Sequence, residues 1–540
     1  MRELRDGGEA HEREPAGQPE FPDVRAEGES LAIDLTIDLP TDLSVERGDG
    51  VLLSDNGCLS CDPQLIRRNR PVTCPKRALH RFDNVEVINI LRRRQSTGIG
   101  ANRLAKIGRC HRLTALPRAV SRLTNATLAD GSVVDVELDG DTVSAVLPAG
   151  AGAGTGGIDL TGFLLLTAPA EPHAHLDKAM SWDLINPPMG DLGLAIASWR
   201  AYSAVMTVES IADRARAAAL MLLRNGTTAV RTHVDMLIGD DPLRGVRALV
   251  QVREELRGLM DIELVALAAS DAPDSVVEEA LDLGVDLVGG APHLAPEPLA
   301  DLRRLIAIAE RRNVGADIHT DEGLSGEPTI IEYARLTRGW SNPVSAGHCV
   351  RLGTLDTDDL ADVITEVLAS DMGIISLPIT NLYLQGWQHP VSTPRGLTAL
   401  RALLDAGVRL AAGADNVRDP FNPVGRSDAL ETASLLVTAG HLTLDEAYGA
   451  ISAGARSVMS LPVAGVAVGA KAELLAVRGT NLSDVVANAS ADRYVIHAGN
   501  LVAQSTVTYD VAAPIQAAPI QAAPVQAMPV PSPPALAETR

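Results

Sequence analysis

"AEPHAHLDKA", residues 170–179, closes an apolar run with His173 and His175 one residue apart. Side chains alternate across a β-strand, so positions i and i+2 share a face and two imidazole nitrogens there can grip one cation. Two core histidines with satisfied ring nitrogens fit this stretch at least as well. The rest of the chain decides between these readings by supplying, or failing to supply, further ligands on comparable strand ends.

Apolar runs recur along residues 166–459, separated by amphipathic helical stretches. They are GFLLLTAPAE (162–171), TTAVRTHVDM (227–236), IELVALAAS (262–270), VDLVGGAPH (285–293), VGADIHTDE (314–322), PVSAGHCV (343–350), GIISLPIT (373–380) and VRLAAGADN (408–416). Between them, segments such as residues 209–226 and 299–313 repeat apolar positions every three or four residues, as packed helices do. Eight βα units predict an α/β fold, a closed (β/α)8 TIM barrel over 166–459. An open doubly wound sheet is the alternative. Its nucleotide-binding form loses support because no G-x-G-x-x-G follows the first run.

The flanks read differently. Residues 122–148 alternate apolar and polar residues around Asp-Gly turns, and residues 465–479 and 493–505 do the same, so one small β-sandwich is expected from both flanks, 121–165 with 460–510. Residues 1–120 hold no sustained periodicity and are expected to be poorly ordered or an accessory extension. Residues 511–540, with their repeated Ala-Ala-Pro, read as a flexible tail.

With 47 Lys+Arg against 69 Asp+Glu, the formal net charge of −22 repels phosphates, which argues against nucleic-acid and anionic-membrane partners. Five scattered cysteines suit a reducing compartment, and without a leader-like or 18-residue apolar segment the cytoplasm is the default. Cys58, Cys61, Cys74, Cys110 and His111 lack zinc-finger or ribbon spacing and are read as ordinary residues. Cys58 and Cys61 also lack the Pro and H-x-E of the nucleobase-deaminase zinc motif. A homo-oligomer is compatible with such a barrel, with no interface legible in the text.

On the expected strands, His173 and His175 close the first run, His233 the second, His293 the fourth, His319 the fifth, His348 the sixth and Asp415 the eighth. Barrel active sites occupy this C-terminal rim. Imidazoles and a carboxylate suit zinc, iron or manganese, and an open coordination position holds a water whose pKa falls from about 15.7 to about 7. Glu322, three residues after His319, is placed to carry protons, the alternative being a carboxylate at a helix N-terminus.

PHAHLDK (172–178), VRTHVDM (230–236), DIHTDE (317–322), SAGHC (345–349), ITNLYLQGW (379–387) and GADNVRDPFNPVG (413–425) together resemble the cytosine deaminase branch of the amidohydrolase superfamily, over about residues 121–505. HLDK and DNVRDPFNPVG also resemble triazine hydrolases of the N-isopropylammelide isopropylaminohydrolase type. The resemblance implies a metal-dependent hydrolase of non-peptide C–N bonds, deaminating a small N-heterocycle of pyrimidine or triazine kind through water activated on one divalent ion. By it His173, His175, His319 and Asp415 hold the metal, Glu322 moves a proton to a ring nitrogen, His348 steadies the attacking or developing oxygen, and Asp415 helps deprotonate water.

Cytosine-specific members carry a glutamine at the end of the third strand, where this chain has Ala269, and Asn416 replaces their second carboxylate, as in the triazine relatives. Cytosine itself is therefore not the expected substrate. Asn416, Gln385, His293 and Ala269 are the expected substrate contacts, His293 being equally suited to bracing its own loop. Tyr383 is expected near the pocket wall. His233 is expected behind the ligands or in a structural role. Asp177 and Lys178 either orient the metal pair, meet substrate or pair locally, and His389, His441 and His497 fall outside the pattern. A cyclic-amide or other C–N hydrolase on the same site stays open. A non-catalytic binding barrel is the reading from another class, against which the intact ligand set argues.

Overall fold

The computed structural model describes residues 116–151, 157–237 and 239–510, together with a small ladder pairing Leu53–Ser54 with Gly57–Cys58. Residues 511–540, residues 1–115 apart from that ladder, and the cluster reading of Cys61, Cys74, Cys110 and His111 lie outside the described residues.

Eight parallel strands form the barrel in chain order: Ala170–Ala174, Ala229–Asp235, Asp261–Ala268, Leu287–Gly290, Gly315–Thr320, Val344–His348, Gly373–Ser376 and Leu410–Ala412. Strand eight meets strand one through a bridge from Ala174 to Asp415, and the Asp415 amide donates to the His173 carbonyl at 3.1 Å. The buried Glu171 carboxylate strengthens this seam, accepting from the Ala414 amide at 2.9 Å and the His173 amide at 3.3 Å. Gly413 is what admits it, since a Cβ there would lie 2.0 Å from Glu171 Oε1.

Helices pack around the strands by the periodicity the sequence predicts. In Val208–Arg224, Ile211, Ala215, Ala218 and Leu222 are buried on one face, and the Thr207 hydroxyl caps the start by accepting from the Ser210 amide.

The run GFLLLTAPAE is not one strand. Phe163–Thr167 runs antiparallel to Leu474–Arg478, pairing Leu165 with Ala476, whereas Ala170–Ala174 runs parallel to barrel strand two. The chain changes partner at Ala168-Pro169, and uninterrupted apolar text carries no mark of that change. Phe163–Thr167 belongs to the flank sheet, in which Arg122–Thr127, Val133–Asp139 and Thr142–Pro148 join Leu474–Arg478, Arg493–His497 and Asn500–Ser505. Arg118–Ala119 adds to its edge against Asn500–Leu501, so the sheet begins just before the expected boundary. Residues from both flanks, among them Leu123, Val136, Phe163, Leu474 and Ile496, enclose one apolar interior of its own. Cys349 is a buried free thiol in the barrel core.

Candidate active site

Three histidine nitrogens and one carboxylate meet at the barrel rim. His319 Nε2 lies 3.2 Å from His173 Nε2 and 3.1 Å from His175 Nε2, while Asp415 Oδ1 lies 3.2 Å from His175 Nε2 and 3.8 Å from His173 Nε2. Ligand atoms about 2.1 Å from one ion at the corners of a tetrahedron are separated by about 3.4 Å, and the four spacings just given are of that size. Burial holds all three imidazoles well below their ordinary pKa and pushes Asp415 well above its own. Three ring nitrogens then crowd one point, and neither Asp415 oxygen has a hydrogen-bond partner. A cation at this point relieves both, so the residues fit a metal.

Local backbone shape aims these groups. Asp321, His348, Cys349 and Asp415 have φ of +48°, +67°, +49° and +62°, a left-handed conformation that is uncommon for residues with side chains and turns the chain sharply at each strand end. Gly347, paired with His319 in the ladder, leaves room for the first ligand ring, since a Cβ there would come 2.7 Å from His173 Cε1.

Beside the cluster, the Asn381 amide nitrogen lies 3.0 Å from His348 Nδ1 and donates to it, which leaves the proton on Nε2, 3.9 Å from Asp415 Oδ2. Glu322 Oε1 is 3.5 Å from His348 Nδ1, and its Oε2 is 3.8 Å from His293 Nε2. Glu322 precedes the next helix, Ile330–Leu336, by eight residues, so the helix-terminus reading fails. Burial pushes its carboxyl up to about 8 and lowers His348 to about 3. Near neutrality Glu322 thus carries a proton while His348 is neutral.

The profile of the amidohydrolase family matches residues 213–503. The chain belongs to the amidohydrolase family. It is 30% identical to the pterin deaminase of Rhizobium rhizogenes over 69% of this chain and 89% of that one. It is 27% identical to the N-isopropylammelide isopropyl amidohydrolase of a Pseudomonas species over 71% of this chain and 97% of that one. Among solved structures, 5-methylcytosine deaminase from Klebsiella pneumoniae liganded with phosphonocytosine superimposes with a TM-score of 0.66 at 25% identity, covering 72% of this chain and 100% of that one. These relatives are named as deaminases and amidohydrolases, and among the described residues of this chain the histidines and aspartates at the rim include groups that could hold a metal ion.

In this amidohydrolase a cavity of about 480 Å³ opens over the cluster, lined by His175, His319, Glu322, His348, Asp415 and Asn416 on one side. Ala269 lines it as well. Gln385 is placed otherwise than expected: its amide donates to the Glu322 carbonyl at 2.8 Å and it does not line the cavity, so it braces the Glu322 loop. His293 also braces, donating from Nδ1 to the His319 carbonyl at 3.1 Å while its other nitrogen faces Glu322. His233 stacks behind the ligands, its ring centroid 4.1 Å from that of His173. Lys178 combines two of its readings, lying 3.0 Å from His175 Nδ1 and pairing with Asp235 at 2.9 Å, while Asp177 accepts from the Asp235 amide. The Tyr383 hydroxyl accepts from the Gly190 amide at 3.4 Å, outside the cavity lining. His441 pairs with Arg395, and His497 with Glu473 in the flank sheet.

Sequence reasoning missed Asn381, which sets the His348 tautomer, and Trp199, whose indole lines the cavity and donates to Asp235. Asn381 sits two residues before Tyr383 inside a motif already singled out, so the signal was present but its direction was not. Trp199 belongs to Leu192–Ser203, an additional helix between strands one and two whose place over the cavity no local pattern discloses.

Proposed function

We propose that this chain is a mononuclear metal hydrolase that removes an exocyclic amino or alkylamino group from an N-heterocycle. The observation that carries the reading is the convergence of His173, His175 and His319 Nε2 with the partnerless carboxylate of Asp415, beside a Glu322 that holds its proton. These four residues would hold one divalent ion, with zinc, iron and manganese all suited to such donors. When bound, the ion supplies acidified water as the nucleophile, its pKa lowered from about 15.7 to about 7.

The chain's own groups do the rest. Asp415 is positioned to accept a proton from the attacking water. Glu322 delivers a proton to the ring nitrogen next to the reacting carbon, so that negative charge does not build up on the ring. The Nε2–H of neutral His348 donates to the oxygen developing on that carbon. A water oxygen is thereby bonded to the ring carbon, the exocyclic C–N bond breaks, and ammonia or an amine leaves with the transferred proton.

Ring choice follows from the wall. Ala269 has no amide to match the donor–acceptor edge of cytosine, and a missing hydrogen bond of that kind costs about 1–3 kcal/mol. Asn416 commits its amide nitrogen to Asp419 at 2.8 Å, leaving its carbonyl oxygen as an acceptor for a ring N–H. The relatives named for pterin and N-isopropylammelide support an amino-bearing ring larger or more substituted than cytosine. A cytoplasmic setting agrees with the acidic composition, and among the described residues no helix is long and apolar enough to cross a membrane.

Metal analysis of the purified chain is expected to give close to one zinc, iron or manganese. Glu322→Gln is expected to keep that metal and lower ammonia release at least about 100-fold across a panel of pyrimidines, triazines and pteridines. Full turnover in that variant would move proton delivery to another group, and activity without metal would overturn the mechanism.

A further inference from the structure

We propose that the cavity continues beyond the reacting groups into a side-arm subsite, so that the substrate is an amino-bearing heterocycle carrying an alkyl or aryl arm on the ring edge away from the reacting carbon. This rests on the deamination reading above and adds the shape of the substrate to it.

Size is the first argument. A single aromatic ring fills an apolar cavity of about 150 Å³, whereas this one measures about 480 Å³, leaving most of its space unexplained by one ring. The cavity is also lopsided. Its reacting groups come from strands one, five, six and eight, where Phe421 is the large apolar lining residue, whereas the other side is walled by Leu192, Ile196 and Trp199 of the additional helix, Leu237 beyond strand two and Leu294 beyond strand four. Positions 192, 196 and 199 fall on one helical face, so the helix turns a continuous apolar strip toward the cavity.

Ala269, at the end of strand three, projects only a methyl group into this region, so the wall there stays open. Trp199 is a fixed wall rather than a swinging one: its indole N–H donates to Asp235, which is itself held by Lys178 at 2.9 Å and by its own amide donating to Asp177 at 3.0 Å. A prebuilt apolar surface of this kind gains from burying methylenes without first being ordered. The arm ends at solvent, where Arg200 and Asp271 line the cavity and form an ion pair at 3.1 Å with side chains 47% and 69% exposed. Leu294 is 49% exposed at this rim, apolar surface that an arm would cover.

The test uses metal-loaded full chain and three scaffolds, an aminopyrimidine, an amino-triazine and an aminopteridine, each bearing hydrogen, ethyl, butyl or benzyl opposite the amine. Titration calorimetry reads Kd and ammonia release is read in parallel. On at least one scaffold Kd is expected to tighten about fourfold per methylene over the first two. Ile196→Trp, which fills the arm, is expected to reduce the hydrogen-to-butyl gain at least tenfold with metal content retained. Should that variant not fold, Leu294→Asp at the exposed rim is expected to cut the same gain. No tightening on any scaffold, or an undiminished gain in the folded variant, overturns the subsite. Tightening without ammonia release supports the subsite and overturns the deamination reading instead.

Discussion

Inside the barrel two polar layers lie one above the other. At the rim, His173 Nδ1, His319 Nδ1, His348 Nε2 and both Asp415 carboxylate oxygens lack hydrogen-bond partners. Deeper in the barrel, Arg231 of strand two donates to Asp317, two residues before His319, at 2.9 Å and to Ser345, three residues before His348, at 2.8 Å, and pairs with Glu263 of strand three. In this lower layer only Arg231 Nη2 and Asp317 Oδ1 go without a partner. In the lower layer one guanidinium meets two carboxylates and a hydroxyl as the chain folds. The rim keeps a buried carboxylate without a hydrogen-bond partner beside three crowded imidazoles, and that contrast separates the two layers within a few residues of sequence.

Breaking the lower layer should have the largest effect on stability. Arg231→Met leaves the buried Asp317 and the partly buried Glu263 without their cation and is expected to cost about 3–5 kcal/mol in chemical denaturation, whether or not metal is present. A loss under 1 kcal/mol would mean that Arg231 does not hold the layer together. Removing metal by chelation should act on the rim alone. With free metal at about 100 times its Kd, the wild-type chain is expected to lose about 2.7 kcal/mol on chelation. Thr443→Ala tests a position remote from both layers. It removes the capping box in which the Thr443 hydroxyl accepts from the Glu446 amide and Glu446 accepts from the Thr443 amide, for an expected loss of about 1 kcal/mol with metal binding and turnover unaltered.

Much of this was readable in the text because its signals are local. Period-two and period-3.6 patterns located most strands and helices, and the rim residues announced themselves by ending successive apolar runs. What was not readable depends on partners distant in sequence. The split of GFLLLTAPAE follows from Leu474–Arg478 pairing with its first half, some 300 residues later. Gln385 looked like a cavity residue by its motif, yet the backbone turn after Pro378–Leu384 hands its amide to the Glu322 carbonyl. Asn381 reaches His348 from the helix after strand seven, and Arg231 meets Asp317 across strands two and five.

The sequence by itself determined that histidines and carboxylates would stand at the ends of parallel strands, because alternation and amphipathic spacing are properties of neighbouring residues and βα units close in few ways. Tertiary structure alone decided that His319 and Asp415 come beside His173 and His175, that Asn381 meets His348, and that an extra helix walls a cavity larger than one ring. Those outcomes rest on barrel closure and on buried contacts between groups that no local pattern links. There the energy of each side chain is fixed by what surrounds it in space and not by what adjoins it in the chain.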